Sequence, residues 1–243
     1  MLPKPHAKSS SRPLKKALSL VLLLSLLWGG TGCQSAKGEA RLAQAVYPKS
    51  VPYKTEREDE AAYRRWYEAK EAQIMKREEI SPAYDSFVAK TGKAILNPAE
   101  ENPIYSPLSL YLALGTMGQL TEGQTQAEII AFLGQKSQED LEKDFRLLFE
   151  LNYQDDETCQ SLVQNSLWFD NRLAYDKDVL NTVGEKYYAD IFSGKMGDEA
   201  FDKTLRNYLN EATHNQLKDQ IDERRFNPED IMRLYTTLYF TGR

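Results

Sequence analysis

Two cysteines and two histidines are all that this 243-residue chain offers for sulfur or imidazole chemistry. His6 lies in a basic N-terminal stretch, so a nucleophilic pair could only be Cys159 with His214, and no neighbour in sequence would orient the imidazole. Zinc and iron ligand spacings, a Gly-x-Gly-x-x-Gly turn and a phosphate-cradling Gly-Lys-Ser/Thr loop are absent from the sequence. Adjacent carboxylates such as Asp155 and Asp156 read as a solvated turn. The residues therefore predict neither an enzyme nor a metal or cofactor site, and Cys159 reads as a small, largely buried hydrophobe.

Cys33 points to different chemistry. Lys4, Lys8, Arg12, Lys15 and Lys16 form a basic head, and residues 17–28 form an apolar run too short for a comfortable membrane span. The sequence Gly30-Thr31-Gly32-Cys33 then resembles a bacterial lipobox, in which the cysteine becomes the lipidated first residue of the mature chain. Gly30 stands where an aliphatic residue is usual, so cleavage nearby with plain secretion, or an uncleaved anchor helix, are the alternatives. Residues 1–32 are read as a signal peptide and Cys33 as the lipid attachment site. This predicts an exported protein, either on the outer face of the membrane or secreted.

Removing a leader with five basic and no acidic residues from a chain of net charge -5 leaves a mature chain near -10. Such an acidic surface excludes nucleic acid as a partner. With Cys33 lipidated no intrachain disulfide is possible, so the fold does not depend on oxidising chemistry.

Residues 33–80 read as a tether that passes into a helix. Pro48 and Pro52 among small and polar residues suit an extended spacer, whereas residues 56–79 mix both charges with Tyr63, Trp66, Tyr67 and Ile74 at helical spacing. That narrow apolar stripe fits packing on the domain's own surface, a solvated helix, or a docking site for a partner.

From Ser81 the pattern is that of one mixed domain. Ser81 and Pro82 open a helix carrying Tyr84, Phe87, Val88 and Ile95. Ser106 caps a second helix with Pro107 in its first turn, where a missing N–H costs nothing, and the residues from Leu108 to Met117 leave it little polar face. Thr125 and Glu128 are spaced as a capping box, and Gly134 falls where a left-handed C-terminal cap is wanted. Taken singly, either capped helix could belong to many folds. Leu141, Phe145, Leu148 and Phe149 mark another helix within residues 138–152. Residues 162–169 read as a strand, 175–188 as a helix, and Ile191-Phe192 with its flanks as a short strand. Residues 198–215 form a helix ending near Asn215, and 231–241 a last apolar strand.

Together these segments resemble the serpin family. In that family a core helix opens on Ser-Pro-x-Ser, matched by Ser106, Pro107 and Ser109, and the next helix opens on Gly-x-Thr, matched by Gly123 and Thr125. Asn165 falls on the Asn of the family's Ala-Asn-Ala-Leu-Phe strand. Residues 205–217 are similar to the helix that crosses the main sheet, with Thr213 on its Thr, although Arg206, Tyr208 and Asn215 replace Asn, Trp and Gly. Tyr239, Phe240 and Gly242 match the Ile-Tyr-Phe-Lys-Gly strand end, and Thr236 replaces an Asn that helps close the sheet.

The resemblance implies an α+β fold with helices packed on a large mixed and largely antiparallel sheet, and residues 81–243 correspond to the N-terminal half of the domain. It implies suicide inhibition of serine or cysteine endopeptidases, with a target protease as partner. The reactive-centre loop lies in the half not matched, so this chain is expected to be a fragment unable to inhibit alone and to fold poorly by itself. The alternative is a non-inhibitory, surface-anchored binding protein.

Overall fold

The computed structural model describes residues 40–96 and 104–242. The leader and Cys33, and with them the lipobox reading, lie outside the described residues.

A five-stranded sheet forms the centre. Strand β3 (Cys159–Asp170) pairs antiparallel with β5 (Met232–Gly242) along its whole length, from Cys159 against Gly242 to Phe169 against Met232. Its other side pairs parallel with β4 (Ala189–Gly194) and, at the opposite end, antiparallel with the short β2 (Gln154–Asp155). Beyond β4 lies β1 (Ala40–Ala43), paired antiparallel with it through a register shift between Arg41 and Ala43.

Period-two alternation sends the two sets of β3 side chains into different cores. Val163, Leu167 and Phe169 meet Leu112 of helix α3 (Pro107–Leu120), Phe145 and Phe149 of α5 (Gln138–Asn152), and Leu180 and Val183 of α6 (Lys177–Lys186). On the opposite face Trp168, with Phe192, packs against Phe201, Leu205 and Leu209 of α7 (Glu199–Ala212) and Ile221 of α8 (Lys218–Ile221). A strand covered on both faces explains why the consecutive residues Leu167, Trp168 and Phe169 are all buried.

A second helical layer, α2 (Pro82–Ile95) and α4 (Gly123–Phe132), backs α3 and α5 around Phe87, Tyr111, Leu133, Leu141 and Leu148. The expected caps account for most of these helices. Ser81 accepts from the Ala83 N–H, and Pro82 takes the first helical position. Ser137 caps α5 through Asp140, whose carboxylate with Glu139 complements the helix dipole. Gly134 adopts φ 76° and closes α4 with two backbone bonds, from Gly134 to Ala131 and from Gln135 to Ile130.

Two expectations are corrected. The capping box of Thr125 and Glu128 does not form. Gly123 has φ 63° and starts α4 directly after Glu122, no side chain caps the helix, and Glu128 instead accepts from Gln124 Nε2 at 2.8 Å. Thr125 lies inside the first turn, three residues past the capping position at Glu122. The tether reading also fails for residues 40–53, which pair with the sheet edge as β1 and then follow the domain surface, with Ala45 buried and Tyr47 stacked on Tyr153 at 5.2 Å.

The helix expected over residues 56–79 is α1 (Glu60–Met75), followed by a 3-10 turn (Lys76–Glu79). It packs on the domain's own surface by its polar and aromatic side. Trp66 Nε1 donates to Asp156 Oδ2 at 3.3 Å, Lys70 pairs with the same oxygen at 3.2 Å, and Gln73 donates to the Glu150 carbonyl. Asp156 is the anchor of this contact. Burial alone would raise its carboxyl, but hydrogen bonds from the Thr158 side chain and backbone, Trp66 and the Cys159 N–H hold it below the usual carboxylate range.

Candidate functional site

Most of the residues singled out by sequence gather around β5 and the helices on its two faces, whereas Gly123 and Thr125 lie apart on α4 in the second helical layer. Ser106 caps α3, its Oγ accepting from the Ser109 N–H at 3.2 Å and sharing a hydrogen bond with Ser109 Oγ at 2.9 Å. Next to Ser106, Pro107 occupies the first turn of α3. Each serine's hydroxyl thus has a partner within α3, which is a capping arrangement.

Asn165 and Thr236 face each other across β3 and β5, and Thr236 Oγ1 donates to Asn165 Oδ1 at 2.9 Å. Alternation along β5 puts Thr236 on the same face as Met232 and Leu234, towards α3. Asn165 is fully buried, yet its Nδ2 and the Thr237 Oγ1 have no hydrogen-bond partner among the described residues. A buried amide donor left open costs on the order of 1–3 kcal/mol, so the interior of the sheet carries a polar demand at this point. Thr236 thus supplies one hydrogen bond to the buried Asn165.

On the opposite face α7 crosses the sheet. Thr213 ends it, buried, with Oγ1 donating to the Leu209 carbonyl at 2.8 Å. His214 and Asn215 follow at φ 49° and 59°, the left-handed turn that Asn215 foreshadowed in sequence. The turn lays the imidazole flat on Tyr239 of β5, ring centroids 4.0 Å apart and 5° from parallel. His214 is thereby a stacking group. Cys159 instead lines a surface recess with Ser50, Pro52, Asp155 and Thr241.

Phe240 is 69% exposed and Gly242 pairs with Cys159 at the sheet's end. Among the described residues no group of three or more His, Cys, Asp or Glu side chains could hold a metal ion, and no helix is long and apolar enough to cross a membrane.

Sequence reasoning missed the hub at the other edge of the sheet. Asp190 of β4 is 3% exposed, and it accepts from Arg41, from the Ala45 N–H at 2.9 Å and from the Tyr208 hydroxyl at 3.0 Å. An acid between Ala189 and Ile191 in an otherwise apolar strand was the available signal. The partner at residue 41 is too distant in sequence for any local pattern to indicate it.

The serpin family profile, described as serpin (serine protease inhibitor), matches residues 82–243. Similar curated proteins include Serpin A12 of Rattus norvegicus, 24% identical over 156 residues that cover 64% of this chain and 36% of that protein. Neuroserpin of Homo sapiens is 29% identical over 150 residues, covering 59% of this chain and 36% of that protein. The plasma serine protease inhibitor of Mus musculus is 27% identical over 168 residues, with shares of 67% and 41%. This chain thus spans well under half the length of these relatives. Among solved structures, the latent state of the thermophilic serpin tengpin superposes with a TM-score of 0.56 at 26% identity, covering 66% of this chain and 43% of that one. Reaction-loop-cleaved lamprey angiotensinogen gives 0.56 at 21%, with shares of 69% and 49%. The profile match covers more than half of the chain, and the chain belongs to the serpin family.

Proposed function

We propose that this chain supplies the N-terminal half of an exported inhibitor of serine or cysteine endopeptidases. The observation that carries the reading is the arrangement on β3: β5 antiparallel on one side, β4 parallel on the other, and α7 lying across them. In the family this is the half-sheet beside which a cleaved reactive-centre loop adds as a new strand, carrying the trapped protease with it. The mouse plasma serine protease inhibitor among its relatives supports the same class of target. In the family, protease choice belongs to residues of the reactive loop. Lipidation of Cys33 would hold the inhibitor at the outer face of the membrane, and secretion after nearby cleavage would release it.

The test is to express the complete natural reading frame, mix it with a panel of serine and cysteine endopeptidases, and look for a complex that survives denaturant. A trapped complex with any of them supports the reading, and cleavage of the chain by all of them without trapping sinks it. Intact mass of the natural mature protein decides the Cys33 question, since an acylated cysteine adds the mass of its lipid. The second reading, a surface-anchored binding protein, draws on the open edge of β5, where Leu238 and Phe240 are 51% and 69% exposed. Binding of a protease or a strand peptide without trapping would favour it.

A further inference from the structure

Residues 40–53 lie upstream of the serpin match, yet they are fixed to the domain along their length. Arg41 lies opposite Phe192 with its guanidinium 5.4 Å from that ring's centroid, and it donates to Asp190. The Val46 N–H donates to the Gly184 carbonyl at 3.2 Å. Gly184 must be glycine for this seat, because a Cβ there would meet the Gln44 carbonyl oxygen at 2.9 Å. Tyr47 stacks on Tyr153 and Phe149, and Ser50 Oγ accepts from the Asp155 N–H at 2.9 Å.

The Asp190 carboxylate divides its two oxygens between different parts of the molecule. Oδ1 serves the upstream segment through Arg41 and the Ala45 N–H, and Oδ2 serves α7 through Tyr208. We propose that residues 40–53 are a clasp, and that Asp190 couples its seating to the seating of α7 on the sheet. With the clasp in place the buried carboxylate has its cationic partner and two further donors, so it stays where Tyr208 can reach it. With the clasp lifted, only Tyr208 remains to a carboxylate inside the sheet. The carboxylate must then move towards water, and α7 loses its polar tie to β4. An extended segment that competed for the β4 edge would act on α7 through the same atom.

Amide hydrogen exchange on the whole protein, read over β4 and over residues 199–212 of α7, tests the coupling. Arg41→Ala opens no cavity, since the side chain is 44% exposed. It should speed exchange roughly tenfold in both β4 and α7, the factor expected for one lost charge-assisted hydrogen bond. Adding Tyr208→Phe should change α7 little further, because both substitutions break the same tie. Faster exchange confined to β1 and β4 with α7 unchanged, or strictly additive effects of the pair, would overturn the proposal. Gly184→Val tests it without touching the carboxylate. If proteolysis shows residues 40–53 released while α7 exchanges as before, the clasp does not control the helix. Should that variant fail to fold, the Arg41 and Tyr208 cycle still decides.

Discussion

Strands β4 and β5 flank the same strand, β3, and meet opposite fates. All six residues of β4 are buried and none of the eleven in β5 is. Composition alone would predict the reverse, since β4 contains Asp190 and Ser193 while β5 contains Leu234, Tyr235, Leu238, Tyr239 and Phe240. The difference lies in the neighbours. Strand β4 has β1 on its far edge and helices over both faces, whereas the far edge of β5 carries no strand among the described residues. Burial here follows from what packs against a strand and only secondarily from its own apolarity, and an apolar strand with an open edge is a place where another strand can add.

The contrast can be broken from the covered side first. Trp168 is fully buried and touches Phe192, Phe201, Tyr208 and Phe226, so Trp168→Ala should cost about 3–5 kcal/mol in guanidinium unfolding. A loss below about 1 kcal/mol would mean that the face under α7 does not hold the sheet.

Acid should act next, through α1. A carboxyl held below its usual value contributes stability above the unfolded value, about 3.9, and that contribution is lost as pH falls towards the folded value. Melting temperature should therefore drop between neutral pH and about pH 3, and less steeply in Asp156→Asn, which would already lack about 1.5–3 kcal/mol at neutral pH. Parallel pH curves for the two proteins would exclude Asp156 as the anchor.

A smaller effect is expected at the boundary between the two regions. Thr236→Val removes the donor to Asn165 Oδ1 and should cost about 1–2 kcal/mol, whereas Thr236→Asn, which keeps a side-chain donor, should recover it. Equal stability of the Val and Asn variants would show that the polar pair is idle.

The smallest change is on the open edge. Phe240→Lys should leave the unfolding midpoint within about 0.5 kcal/mol while lowering self-association in sedimentation. Unchanged association would mean that β5 is not where chains meet.

The parts of the fold that were legible in sequence are those whose signals are local. Ser81 and Ser106 marked helix starts because a cap acts within three residues, and Gly134 marked a stop because its own φ is required. Strand β3 was legible as a strand, but its two-sided burial was not, since Gln164, Asn165 and Ser166 interrupt its apolar residues. The Thr125 box misled because the spacing was right and the start was wrong: α4 begins at Gly123, three residues earlier than a Thr125 cap requires. Strand β1 was illegible because Ala-Arg-Leu-Ala has little pattern and is held by backbone bonds and by Asp190, on a strand distant in sequence. Within the candidate site, Ser106, Asn165, Thr213 and Tyr239 were found from motif matches. The stack of His214 on Tyr239 follows from a backbone turn that no motif encodes.

The pairing of β1 with β4 also sets an order of events in the cell. Arg41 and Asp190 are separated by 149 residues, so β1 leaves the ribosome well before the strand it pairs with. At about 5–20 residues per second that is a wait of roughly 7–30 s, during which residues 40–47 have no partner edge. Strand β1 is therefore made well before the edge that locks it in place.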